Sequence, residues 1–359
     1  MWSIEELFIA FLLSIGTVLI VTPLMIKILH MLNFVDRPDQ VRKMHKVPKP
    51  SMGGLAIFIG IAVGFIYLSP DSPEMTGVII GAVIMLLTGL LDDMFNLRPS
   101  YKLAGQLMAA SVVTSSGLVI EKLTIPFAGT VFLDDYIGIA LSILWIVAAA
   151  NAINLIDGLD GLAAGISIIG LASILVMAIM DYRILVIGLS VILIGSTLGF
   201  LPYNFYPSKI FMGDTGALLL GYSIAIVSML GLFKNIAFFS FIVPAIVLAI
   251  PIFDTILAIL RRLSNHKGIA VADNKHIHYL LMSKGYSHRK SVLIIYGFSI
   301  YFGVMAVIFN SARMITSFMI GCLILFAIQL FSEIVGIAGR KKPILSQLRI
   351  LGDKVKINR

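Results

Sequence analysis

The run TGVIIGAVIMLLTGLLDDMFNLRPSYK, Thr76 to Lys102, decides the fold. From Thr76 to Leu91 it carries no charge, and it then meets Asp92 and Asp93, followed by Asn96, Arg98 and Lys102. An uncharged run ending in acids reads as a helix that crosses a bilayer and puts its polar end at the boundary. The pattern of acids at an apolar edge recurs in Asn151-Ala-Ile-Asn154-Leu-Ile-Asp157-Gly-Leu-Asp160-Gly and in Phe211-Met-Gly-Asp214. A carboxylate at that depth is costly without a partner, so several at one depth point to a ligand that they share.

The rest of the chain agrees with this reading. Its 359 residues are 59% hydrophobic and 13% charged, against roughly 45–50% apolar residues in soluble domains. A scan with a window of about 20 residues finds helices centred on Ser14, Ile61, Val83, Ala110, Leu144, Ile169, Val191, Ile224, Val247, Gly303 and Leu323. The first run follows Glu5 and Glu6 instead of a basic stretch and is too long for a signal-peptide core, so it reads as a permanent span. The expected fold is all-α: a single polytopic membrane domain over residues 1–359 with about eleven transmembrane helices. Pro244 and Pro251 predict a kinked or broken helix near Val247. The lone Cys322 has no intrachain partner, which excludes a disulfide scaffold.

Charge gives the orientation. Of the Lys and Arg residues in the connections, 22 fall on one side and only Lys122, Arg183, Lys234 and Arg313 on the other. The positive-inside rule then puts the N-terminus outside and the basic C-terminal tail in the cytosol, as an odd number of spans requires. The net charge of +8 is therefore a mark of topology and an attraction for anionic lipid headgroups, and nucleic-acid binding is not indicated.

Topology sorts the acids. Asp92, Asp93, Asp157, Asp160, Asp214, Asp254 and Asp273 fall at the inner edge, whereas Asp134 and Asp135 fall outside with no Asn, His or basic neighbours and read as solvated turn residues. The inner acids are mixed with Arg42, Lys43, His45, Lys46, Lys102, Arg261, Arg262, Lys275, His276 and His278. Carboxylates and cations at one depth suit a phosphate-bearing substrate, its metal held by the acids and its other oxygens by Lys and Arg. Hard oxygen donors and the absence of a nearby Cys favour magnesium over zinc, with manganese as an alternative.

Two local patterns leave alternatives open. Asn154, Asp157 and Asp160 recur every third residue, which on a helix gives a polar strip drifting by about 60° per step. The other reading is a loop punctuated by Asp-Gly turns. His276 and His278 are two apart, poor spacing for one helical face, and predict an irregular segment. Phe211 suits either a site or a membrane-interface aromatic.

The ordered motifs resemble the polyprenyl-phosphate N-acetylhexosamine-1-phosphate transferases over nearly the whole chain. They are Asp36-Arg-Pro with Arg42-Lys-Met-His45, Pro50-Ser-Met-Gly-Gly54, Leu91-Asp-Asp93, Asn151 to Gly161, Phe211-Met-Gly-Asp214-Thr-Gly216 and His276-Ile-His278. Phospho-N-acetylmuramoyl-pentapeptide translocases in this family usually carry three consecutive histidines. Here Ala272-Asp273-Asn-Lys-His276-Ile-His278 looks like the branch that transfers N-acetylglucosamine 1-phosphate to start teichoic acid or O-antigen type polymers, although Tyr279 stands where that branch often has a further histidine.

The resemblance implies that Asp92, Asp93 and Asp214 are catalytic, with Asp214 and Asp93 at the metal. It implies that Phe211 stacks on uracil, that Asn154, Asp157 and Asp160 lie near the uridine and the metal, that Lys46, Ser51 and Lys102 hold phosphates, and that His45, Asn151 and Gly213 bind substrate. Arg262, Asp273, His276 and His278 would shape the sugar-phosphate pocket. The implied partners are UDP-N-acetylglucosamine, undecaprenyl phosphate and membrane lipids, with a homodimer as an open arrangement. The implied location is the bacterial cytoplasmic membrane, with the active site facing the cytosol. The competing readings are transfer of the muramoyl-pentapeptide phosphate and, in another class, an ion-coupled transporter. A transporter would place its acids near the midplane and often shows repeated halves, and neither feature is present in the sequence.

Overall fold

A computed structural model describes residues 2–36, 48–125, 129–231, 242–264, 276–312 and 314–336. Thirteen helices follow in order: α1 (Ile4–Met31), α2 (Gly54–Leu68), α3 (Met75–Phe95), α4 (Pro99–Ser115), α5 (Asp135–Ile156), α6 (Leu162–Met180), α7 (Ile184–Asn204), α8 (Gly213–Gly231), α9 (Ile242–Val247), α10 (Ala249–Ser264), α11 (Ile277–Ser283), α12 (His288–Asn310) and α13 (Met314–Val335). Two short antiparallel pairs complete the described chain. β1 (Val35–Asp36) pairs with β2 (Lys49–Pro50), and β3 (Lys122–Ile125) pairs with β4 (Gly129–Phe132). The all-α reading holds, with the strands confined to connections.

All eleven predicted centres fall in helices. Among the described residues, eight helices (α1, α3, α5, α6, α7, α8, α12 and α13) are long and apolar enough to cross a membrane. The helices around Ile61, Ala110 and Val247 are shorter, for local reasons. α2 stops where Ser69 turns left-handed at φ 42°, and α4 is set between Pro99 at its first turn and Gly117 at φ 95°. The third is broken at Leu248: Pro251 has no N–H to offer the Val247 carbonyl four residues earlier, and α9 ends there before α10 begins at Ala249. The break predicted from Pro244 and Pro251 is present.

α8 forms the centre. It is apolar around its whole circumference and buried from Thr215 to Gly231, as such a helix must be, and α2, α3, α5, α6 and α7 pack on it. Small residues along α8 let the neighbouring backbones approach closely. α1 and α13 instead expose Leu, Ile and Phe side chains, and Cys322 on α13 is exposed among them. Asp134 stands at the N-cap position of α5 without a side-chain cap bond and Asp135 opens the helix, both exposed, which agrees with their solvated reading.

Two local expectations are corrected or decided. His276 and His278 do not lie in an irregular segment: His276 is the N-cap of α11 and His278 is its second residue, so they need not share a helical face. Of the two readings of Asn154, Asp157 and Asp160, the turn prevails, because α5 ends at Ile156 and only Asn154 is helical.

Candidate active site

The C-terminal ends of α3 and α5 and the N-terminal ends of α4 and α8 converge at one end of the bundle. Asp92 and Asp93 leave α3 about 100° apart, as adjacent helical residues do, and reach different partners. One oxygen of Asp93 accepts from Asp214 N at 2.9 Å and from Ser51 Oγ at 3.4 Å. The other accepts from Thr215 N at 3.0 Å and Thr215 Oγ1 at 2.6 Å. Asp93 is thus an N-terminal cap for α8 supplied by another helix, with its charge at the positive end of the helix dipole. Gly213 makes this approach feasible. Its φ is +71°, and a Cβ there would collide with the Asp93 carboxylate.

Asp92 turns the other way. Its Oδ1 accepts from Leu97 N at 2.8 Å and its Oδ2 from Lys102 Nζ at 3.2 Å. Lys102, in the first turns of α4, also donates to Asn154 Oδ1 at 3.0 Å and to Asp214 Oδ2. One ammonium therefore gathers residues from α3, α5 and α8. One turn further along α4, Gln106 Nε2 donates to Asn151 Oδ1 at 3.3 Å and Asn151 Nδ2 donates back to Gln106 Oε1 at 2.6 Å. Asn151 thus pairs with Gln106, and it is not among the residues that line the cavity described below.

The turn after α5 is held by three chain segments. Asn204 Oδ1 accepts from Gly161 N at 3.1 Å, and Asp160 Oδ2 accepts from Ser208 N at 2.9 Å and from Lys49 Nζ at 3.4 Å. β2 continues into a backbone zip with the loop before α8: Phe211 N donates to Pro50 O at 2.9 Å, and Gly53 N donates to Phe211 O at 3.0 Å. These restraints enclose a cavity of about 600 Å³ lined by Ser51, Asp92, Asp93, Asp157, Asp160, Phe211 and Asp214, among others. Burial pushes the Asp157 carboxyl up to about 7, with help from the charges of Asp93 and Asp160.

The histidines stand beside this turn. Asp254, wholly buried on α10, accepts from Ile277 N at 3.0 Å and lies 2.8 Å from His276 Nδ1, so it caps α11 and orients the imidazole. His278 is 1% exposed and packs on Gly158, where a Cβ would collide with its Nε2. Neither ring nitrogen of His278 has a hydrogen-bond partner among the described residues. Burial without a partner lowers its pKa to about 4, so it is neutral at pH 7. Tyr279 and His288 line the cavity.

The structure therefore brings together Ser51, Asp92, Asp93, Lys102, Asn154, Asp157, Asp160, Phe211, Gly213 and Asp214, with His276 and His278 behind the turn. Phe211 belongs to the cavity wall. Arg262 is half-buried on α10 and is not among the residues that line the cavity. His45, Lys46 and Asp273 lie outside the described residues. Thr215, Gln106, Lys49 and Asp254 contact these residues, and the sequence assigns none of them a role. Asp254 falls among the inner-edge acids by topology, but its partner His276 is 22 residues away.

Among the described residues, no three Asp, Glu, His or Cys side chains are already gathered as a metal centre. Asp92 and Asp214 nevertheless face one cation, the Lys102 ammonium, with hard oxygen donors. That donor set fits a small divalent ion, whereas both oxygens of Asp93 are already engaged by α8.

Apolar helices that close at one end around carboxylates, a lysine and an aromatic ring define a membrane-embedded enzyme. Residues 75–232 match the family described as Glycosyl transferase family 4. Over 337 residues the chain is 45% identical to a probable undecaprenyl-phosphate N-acetylglucosaminyl 1-phosphate transferase of Bacillus subtilis, covering 93% of this chain and 94% of that one. It is 36% identical to a decaprenyl-phosphate N-acetylglucosaminephosphotransferase of Mycobacterium tuberculosis, covering 79% and 78% of the two chains. It is 35% identical to a phospho-N-acetylmuramoyl-pentapeptide-transferase of Desulforudis audaxviator, covering 56% and 70%. The chain belongs to this family, the polyprenyl-phosphate N-acetylhexosamine-1-phosphate transferases, and its enzymatic class is glycosyl-1-phosphate transfer.

Proposed function

We propose that this enzyme transfers N-acetylglucosamine 1-phosphate from UDP-N-acetylglucosamine to undecaprenyl phosphate, releasing UMP, as the first lipid-linked step of a cell-wall polymer such as teichoic acid. One observation carries the reading: Lys102 is gathered with Asp92, Asn154 and Asp214 beside a cavity that also holds Phe211, in a chain whose relatives are named for this transfer.

A phosphate oxygen of the acceptor attacks the sugar-bearing phosphorus, the bond to UMP breaks, and UMP leaves with the electron pair. Lys102 is placed to neutralise phosphate oxygens, and Ser51 and Lys46 bind the rest of the diphosphate. Asp214 and Asp92 would hold a magnesium ion, with manganese as a substitute, and that ion supplies further neutralisation of phosphate charge. Asp93 keeps α8, and with it Asp214, in register. Phe211 stacks on the uracil within reach of Asp157 and Asp160, while Arg262, Asp273, His276 and His278 shape the sugar-phosphate side. A general base is unnecessary, because a phosphate monoester has a second pKa of about 6 and is largely dianionic in the cytosol.

The distribution of Lys and Arg supports an external N-terminus and a cytosolic site in the bacterial cytoplasmic membrane. The test is to incubate purified protein with undecaprenyl phosphate and a panel of UDP-sugars, and to identify the lipid product by mass. Undecaprenyl-diphosphate-N-acetylglucosamine is the expected product. A product only from UDP-N-acetylmuramoyl-pentapeptide moves the chain to the peptidoglycan branch, and a lipid product only from another UDP-sugar overturns the choice of donor.

A further inference from the structure

Lys49, which opens β2, has no role in the reading above. Its ammonium donates to Ser208 Oγ at 2.9 Å and to Asp160 Oδ2 at 3.4 Å, and it lies over the Phe211 ring, 5.1 Å from the centroid. Three partners meet at one side chain that is only 19% exposed. Asp160 also accepts from Ser208 N, and the Phe211 backbone is zipped to Pro50 and Gly53, so the lysine ties the strand before Ser51 to the Asp157–Gly161 turn and to the loop before α8. Phe211 lines the cavity, and the ammonium lies over one face of its ring while Asp160 and Ser208 occupy its hydrogen bonds.

We propose that Lys49 is a positioning residue for the nucleotide: it clamps Phe211 at the tilt in which the ring stacks on the base of the nucleoside diphosphate sugar. The inference rests on the stacking proposed above. A cation on an aromatic face is attracted by the ring quadrupole, and here the same cation is braced by a carboxylate and a hydroxyl, so the ring is held by charge as well as by packing. Such a clamp acts on donor binding. The partners of Lys49 are Asp160, Ser208 and the Phe211 ring, away from the Lys102 cluster, so its loss is expected to leave turnover of the bound substrates untouched.

The experiment is a double-mutant cycle on the full-length enzyme in detergent, with KM for UDP-N-acetylglucosamine, KM for undecaprenyl phosphate and kcat measured for wild type, Lys49→Met, Lys49→Arg, Phe211→Leu and Lys49→Met with Phe211→Leu. Lys49→Met is expected to raise the donor KM roughly two- to thirty-fold, the range of a single cation–π contact, with kcat and the acceptor KM within twofold. Lys49→Arg, which keeps the charge and the stacking, recovers most of the loss, and the double variant is no worse than Phe211→Leu alone. If Lys49→Met does not fold, Lys49→Gln is carried through the same cycle, since it keeps a donor near Ser208 without the charge. A neutral Phe211→Leu overturns the stacking reading and this inference with it. A Phe211→Leu defect alongside a neutral or strictly additive Lys49 variant, or a Lys49 variant that lowers kcat, overturns the inference alone.

Discussion

Thr215 donates both its backbone N–H and its hydroxyl to one oxygen of Asp93, at 3.0 and 2.6 Å. Asp92, the next residue back, is joined to the first turn of α8 through Lys102, which it shares with Asp214. The two acids that look equivalent in sequence thus face different partners, Asp93 the N-terminus of α8 and Asp92 the Lys102 ammonium.

Their variants should differ in kind. Asp93→Asn keeps one acceptor and loses the charge at the N-terminus of α8, so stability is expected to fall by about 1–2 kcal/mol, with activity falling as Asp214 loses its register. Asp92→Asn should leave the melting temperature near the wild-type value and reduce kcat strongly. Thermal unfolding in detergent beside kcat decides the matter, and equal melting temperatures for the two variants would remove the capping role.

Lys102 bridges two carboxylates. Replacing it by Met leaves Asp92 and Asp214 facing each other without a cation, at a site that is 17–28% exposed, so a loss of about 1–3 kcal/mol is expected after solvent screening is allowed for. Added magnesium should raise the melting temperature of Lys102→Met more than that of the wild type, because the ion then meets two bare carboxylates. An equal shift in both proteins would show that these acids do not bind the ion.

Much of this arrangement is legible in the sequence where a local rule decides it. The uncharged run ending at Asp92 locates the site end of α3, and Pro251 locates the break at Leu248. Hydropathy windows do not see caps, which is why α2 and α4 are shorter than the apolar runs suggest. The spacing of His276 and His278 misleads because a residue at an N-cap is outside the helical repeat. The contacts of Lys49 with Asp160 and of Asp254 with His276 join segments that only tertiary packing brings together, and no periodicity carries them.

His278 gives a pH signature. The unfolded chain takes up a proton at this residue near pH 6.5, whereas the folded protein does so only at about 4, so His278 makes stability fall as pH drops through that window. Asp157 acts oppositely: its folded pKa of about 7 exceeds the ordinary 3.8, so its contribution to stability is lost as pH rises between them. The two partly cancel in the wild type. His278→Gln removes one of them, and its melting temperature relative to wild type should rise as pH falls from 6.5 to 4, by the equivalent of about 3 kcal/mol at most. A difference that stays constant over that range would place His278 in contact with water or with a partner.

Asp157 lines the cavity with a pKa near neutrality, which is the property expected of a general base, so the claim that none is needed can be tested on it. If the acceptor ionises on its own, the acidic limb of the pH–rate profile belongs to the lipid phosphate and lies near pH 6. Asp157→Asn is then expected to lower kcat/KM about tenfold, the cost of one polar contact, and to leave the limb where it is. A proton-accepting Asp157 predicts another pattern: the variant loses the wild-type limb and recovers activity as pH rises and more acceptor is dianionic. Profiles of kcat/KM for wild type and Asp157→Asn between pH 5 and 9, taken with saturating magnesium, separate the two, since only the limb's position distinguishes a missing base from a weakened pocket. Recovery at high pH would assign the proton to Asp157 and end the base-free mechanism.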